Sequence, residues 1–85
     1  MPYTVIYSDY VSDDVIPAIP RRNKEQISKA INERLTADPI GLGKPLKYEL
    51  KGYRRLRVGD WRVVYMVEGK NVIIYDIVLR RDAYN

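Results

Sequence analysis

Near residue 53 the hydrophobic period of this sequence changes from that of a helix to that of a strand, and it does not change back. Tyr53 to Val58, Trp61 to Val67 and Val72 to Val78 alternate with period two and are rich in β-branched and aromatic residues. They are joined by Gly59-Asp60 and by Glu68-Gly69-Lys70-Asn71, both short turn sequences, so they predict a meander of three strands. Upstream, Tyr3 to Tyr7 reads as a further strand. Ser8 is a good N-cap, and Val11, Val15, Ala18 and Ile19 then fall on one helical face that Pro17 must end or kink. Pro20 can open a second helix, whose stripe of Ile27, Ala30, Ile31, Arg34 and Leu35 runs to about Ala37. Asp38-Pro39 stops it, because a residue before proline is pushed out of the helical region. Gly41, Gly43 and Pro45 make the only extended loop. The expectation is one α+β domain over residues 1–85. It has a small antiparallel sheet, the N-terminal strand plus the meander, with two helices on one face.

Length and composition then narrow the chemistry. A chain of 85 residues buries only about 60–65% of its unfolded surface, so its core is thin and an active site on it should be open. It has no cysteine and no histidine. Disulfides, thiolate metal sites, a cysteine nucleophile and the imidazole base are excluded, and catalysis must run on Arg, Lys, Tyr and carboxylates. The opening Met1-Pro2-Tyr3-Thr4 lacks the basic region of a secretory signal, and no apolar run approaches the length of a membrane span. A cytoplasmic protein without a membrane partner is expected. Charge is unevenly placed: residues 1–42 carry five basic and six acidic side chains, residues 43–85 ten basic and five acidic. The second half should meet a polyanion or an acidic partner.

The segment Tyr53-Arg54-Arg55-Leu56-Arg57-Val58-Gly59-Asp60-Trp61-Arg62-Val63-Val64-Tyr65 says where. With Gly59-Asp60 as a two-residue turn, Val58 opposes Trp61, Arg57 opposes Arg62, Leu56 opposes Val63 and Arg55 opposes Val64. One face then holds Leu56, Val58, Trp61, Val63, Tyr65 and Val67, a core face for the helices. The other holds Tyr53, Arg55, Arg57, Arg62, Val64 and Met66. Opposed arginines repel, where an opposite-charge pair would gain about 0.2–1 kcal/mol, and an anion would relieve that repulsion. Guanidinium groups grip phosphate bidentately and never deprotonate, so the cluster suits a phosphodiester. A merely solvated hairpin face is the alternative. Arg80 and Arg81 leave the last strand where they can approach the same face, and Tyr84 follows, unless it is only a frayed terminus. Arg21, Arg22, Lys24 and Lys29 read as the wet side of a helix, and Gly41-Leu42-Gly43-Lys44 lacks the full pattern of a phosphate loop.

These residues also carry a resemblance. Leu50-Lys51-Gly52 followed by the hairpin segment, then a last strand and Leu79-Arg80-Arg81-Asp82-Ala83-Tyr84, resembles the RelE/ParE superfamily of bacterial toxin–antitoxin toxins, over nearly the whole chain. The RelE branch cleaves mRNA in the ribosomal A site, and the ParE branch inhibits DNA gyrase on a similar scaffold. RelE-like nucleases have basic residues on the hairpin strand, an arginine after its turn, another at the end of the last strand and a tyrosine near the C-terminus. Arg55 and Arg57, Arg62, Arg80 and Tyr84 match those positions, and the resemblance implies a catalytic role for each. Lys51, Tyr53, Arg54 and Arg81 are the implied RNA-binding residues. Two departures stand out: Leu79 occupies a place where many relatives have histidine, and arginines stand where some active members have lysines.

The implied reaction is attack by the substrate's own 2′-hydroxyl on the adjacent phosphorus. It gives a 2′,3′-cyclic phosphate and a free 5′-hydroxyl, and it needs no metal or other cofactor. Arginine cannot give up its proton, so Tyr84 either takes the 2′-hydroxyl proton, its pKa lowered by neighbouring cations, or stacks on a base. The implied partners are mRNA in the A site, ribosomal RNA and a cognate antitoxin with an acidic or amphipathic segment. A gyrase inhibitor and an inactive homologue that only binds its antitoxin remain as alternatives.

Overall fold

The computed structural model describes residues 2–80. A five-stranded sheet runs in the order β1-β5-β4-β3-β2, with β1 at Thr4–Tyr7, β2 at Lys44–Pro45, β3 at Arg54–Val58, β4 at Trp61–Glu68 and β5 at Asn71–Leu79. The helical segments lie between β1 and β2. Val11–Val15 continues into the 3-10 turn Ile16–Ala18 and is called α1. Arg21–Ala30 widens into a π-turn at Ile31–Leu35, the two together forming α2. A single turn, Pro39–Leu42, is α3.

The expected α+β class, meander and pair of helices are present, with local signals acting as read. The Val11 amide donates to Ser8 Oγ (3.3 Å), and the chain turns extended at Ile19, just after Pro17 and Ala18. The hairpin register pairs Val58 with Trp61, Arg57 with Arg62, Leu56 with Val63 and Arg55 with Val64. Gly59 has φ +60 at the first turn position, which suits a type II′ hairpin and is strained for any other residue.

The sheet itself differs from the expectation in two ways. It is mixed, because β1 joins β5 in parallel, Thr4 beside Asn71 through Tyr7 beside Ile74. Parallel neighbours need a long crossover, and everything from α1 to β4 supplies it. Nothing local in Tyr3 to Tyr7 encodes that choice. The loop after α2 is also more ordered than read. Pro39 opens α3, capped by the Asp38 carboxylate accepting from the Gly41 amide (2.9 Å), and β2 adds two pairs to the edge of β3.

The core lies between the helices and one face of the sheet. Val11, Ile31 and Leu35 from the helices meet Val63, Tyr65, Val72 and Ile74 from the strands, all at 0% exposure. The Tyr65 hydroxyl donates to the Pro39 carbonyl and so ties α3 to the sheet centre. Gly43 passes so close to that hydroxyl that a Cβ would lie 1.6 Å from it. Burial raises the Tyr65 phenol to about 12, with Arg54 opposing and Asp38 reinforcing the shift.

A candidate polyanion-binding face

The opposite face of the same strands carries the arginines. Alternation puts Arg55 and Arg57 of β3 and Arg62 of β4 on that side, because Leu56, Val58 and Val63 are committed to the core. Arg80 joins them through the backbone: its amide donates to the Asp60 carbonyl in the hairpin turn (2.6 Å), which fastens the end of β5 beside the start of β4. Burial lowers the Arg62 pKa from its ordinary value, and the charges of Arg55, Arg57 and Arg80 push it the same way. Four predicted arginines therefore share one electrostatic neighbourhood. Arg62 stays protonated at neutral pH, so the cluster concentrates positive charge on one face, a setting that suits an anion.

The remaining candidates are placed less uniformly. Tyr53 precedes β3 and packs its ring on Tyr75 of β5 at a centroid distance of 4.8 Å and an angle of 41°. Lys51 is exposed in the turn leading into β3. Arg54 is not brought to the cluster. It alternates with Arg55, so it lies on the helix side, and its Nη1 donates to the carbonyls of Ile40 (3.1 Å) and Gly43 (3.3 Å). Its evident work is to hold the α3–β2 segment against β3. Arg81 and Tyr84 lie outside the described residues.

Four neighbours of the cluster escaped the sequence reading. Arg34 of α2 and Lys44 of β2 line a cleft of about 300 Å³ with Arg55 and Arg57, which carries positive charge around the β3 edge. A second cleft of about 550 Å³ continues past Arg57 to Lys29 and Glu33. Arg34 had looked like part of a helix stripe, and only the docking of α2 beside β3 reveals its position. Tyr75 and Asp76 escaped for another reason. Val64 pairs with Asp76 but Tyr65 with Ile74, so Tyr75 is an extra residue, a β-bulge that shifts the alternation of β5. Asp76, which unbroken alternation would have sent into the apolar core, instead pairs with Val64 on the arginine side, 6% exposed, its Oδ1 accepting from the Ile77 amide (2.8 Å). No glycine or proline in Val72 to Val78 marks the bulge.

Residues 4–84 match the family described as the ParE toxin of the type II toxin–antitoxin system parDE. The chain belongs to the RelE/ParE superfamily of toxin–antitoxin toxins. It is 31% identical over 86 residues to Toxin RelG of Mycobacterium tuberculosis, covering 99% of this chain and 98% of that protein. Its fold is similar to the toxin–antitoxin complex RelBE2 of the same organism, with a TM-score of 0.86 and 28% identity over 94% of this chain and all of that one. The archaeal RelE–RelB complex from Pyrococcus horikoshii OT3 shares the fold at a TM-score of 0.72 and 22% identity, over 98% of this chain and all of that one. Membership fixes the scaffold and the toxin class. Which target the toxin attacks depends on what this face of the sheet does.

Proposed function

We propose that this toxin is a ribosome-dependent mRNA endonuclease. The observation that carries the reading is the convergence of Arg55, Arg57, Arg62 and Arg80 on one open face of the sheet. Phosphoryl transfer to an internal hydroxyl asks a protein mainly for positioning and for stabilisation of charge on the phosphorane, and a guanidinium cluster supplies both. The 2′-oxygen attacks phosphorus as its proton passes to a base, the bond from phosphorus to the 5′-oxygen breaks, and that oxygen takes up a proton. Arg55, Arg57 and Arg62 hold the non-bridging oxygens, and Arg80 stabilises the leaving one. Tyr84 is assigned from the sequence alone as proton acceptor or stacking residue. The mRNA is presented in the ribosomal A site, and ribosomal RNA contacts the rest of the basic surface.

A cognate antitoxin is the expected protein partner, since the solved relatives include complexes of toxin with antitoxin. An acidic or amphipathic antitoxin segment suits the positive second half of the chain. A second reading, inhibition of DNA gyrase, is favoured by the description of the matching family and by Leu79 at a position where many nucleases carry histidine. Pulse labelling after induction of the toxin alone separates the two. Protein synthesis should stop first; DNA synthesis failing first while translation continues would replace the nuclease with the gyrase inhibitor.

A further inference from the structure

The outer face of the sheet has two ends of different chemistry. At the hairpin end lie the four arginines. At the other end, one row beyond Arg55, lie Tyr53, Met66 and Ile73, with Ile6 beside them on β1. The bulge adds Tyr75 to this end by turning two consecutive residues of β5, Tyr75 and Asp76, to the same side. Tyr53, just before β3, and Tyr75 of β5 lie on either side of β4, so their contact at 4.8 Å bridges over it, and Val64 beneath is 1% exposed although it lies outside the main core cluster. Tyr75 itself remains 40% exposed, unlike Tyr65 at 0%, and borders an open cleft of about 370 Å³ with Ser8, Tyr10 and Asp76. A ring needed only to cover Val64 would not have to face outward over such a cleft.

We propose that Tyr75, backed by Tyr53, is a stacking platform for an unpaired base of the RNA whose phosphate rests on Arg55 and Arg62. This rests on the nuclease reading and adds to it a base subsite. The occupant must be anionic at one end and flat and apolar at the other, with Tyr53 about 7 Å along the strand from Arg55 and Tyr75 two strands across, about 10 Å from the β3 line. A nucleotide has both features in one unit. Aromatic platforms beside a cationic groove are a general solution for holding single strands, because every base offers a π-face.

The test compares two short 2′-deoxy oligonucleotides of equal length, one intact and one built of tetrahydrofuran abasic units, neither of which has a 2′-hydroxyl to attack its own backbone or an aldehyde to eliminate. Anisotropy titration of the full chain should give tighter binding to the intact strand. Tyr75→Leu should weaken the intact strand roughly 5–100-fold and leave the abasic strand unchanged, while Tyr75→Phe and Tyr75→Trp keep the preference. Unchanged abasic binding also certifies that the variant is folded. Equal losses on both strands would make Tyr75 a packing residue and overturn the platform. No loss on either, or no preference in the wild-type chain, would overturn it as well and leave the ring to a protein partner. Cleavage on ribosomes is read separately: a toxin that never cuts mRNA yet keeps the base preference defeats the nuclease and spares the platform. One that cuts without the preference does the reverse.

Discussion

The two faces of the hairpin are built from the same two strands, one residue out of phase, and they obey opposite rules. Leu56, Val58, Val63 and Tyr65 face the helices and are at most 5% exposed. Arg55, Arg57 and Arg62 face away and crowd like charges together. On the first face every neighbour is favourable, as a stable core requires. On the second, like charges gather on a face that also carries the Asp76 carboxylate and stays net positive, the pattern expected of a surface kept for a ligand rather than for packing. On the proposed reading, strand alternation divides stability from function, and substitutions should separate the two accordingly.

The largest effect on stability should come from the core side. Leu35, fully buried from α2, leaves a cavity when truncated, so Leu35→Ala should cost about 2–5 kcal/mol in chemical denaturation. Arg62→Ala belongs to the other face. It should lower single-turnover cleavage by roughly 10²–10³, the scale of one lost preorganised donor, while ribosome binding and the unfolding midpoint move far less. If Arg62→Ala lost mainly stability, the division between faces would be wrong.

Tyr65→Phe is a smaller probe, because it keeps the ring and removes only the hydroxyl that satisfies the Pro39 carbonyl. It should cost about 1–3 kcal/mol. The same phenol gives a pH signature. Its folded pKa of about 12 lies above the unfolded value of 10.0, so the folded state holds the proton more tightly. Its contribution is whole below pH 10 and is lost as pH rises from 10 to 12, with a slope approaching about 1.4 kcal/mol per unit. Denaturation at pH 9 and pH 11 should show this loss in the wild type and a flatter profile in Tyr65→Phe. Smallest of all, Arg21→Ala with Arg22→Ala should leave cleavage and stability nearly unchanged. Both are exposed on α2, and Arg21 makes only a surface pair with Glu25 at 3.6 Å.

Much of this division was legible in the residues. The turn at Gly59-Asp60 fixed the register, the register fixed the two faces, and the helix stripe of Ile27, Ala30, Ile31 and Leu35 is buried as read. What was not legible depends on contacts distant in sequence. The parallel seat of β1 depends on β5, 67 residues on. The bulge at Tyr75 has no local signal, yet it decides that Asp76 lies among the arginines rather than in the core. Arg54 looked like one more member of a basic run, although its phase already placed it with Leu56, where it binds the carbonyls of Ile40 and Gly43. Arg34 and Lys44 join the basic face only because α2 and β2 are docked beside β3.

The most direct test of the arginine face as a catalytic centre is primer extension on mRNA from translating ribosomes, with the wild-type toxin and Arg62→Ala run beside a gyrase supercoiling assay. New ends within codons, carrying a 5′-hydroxyl, should appear with the wild type and nearly vanish with Arg62→Ala while supercoiling proceeds unchanged. Intact mRNA together with inhibited supercoiling, or cleavage by Arg62→Ala at the wild-type rate, would contradict it.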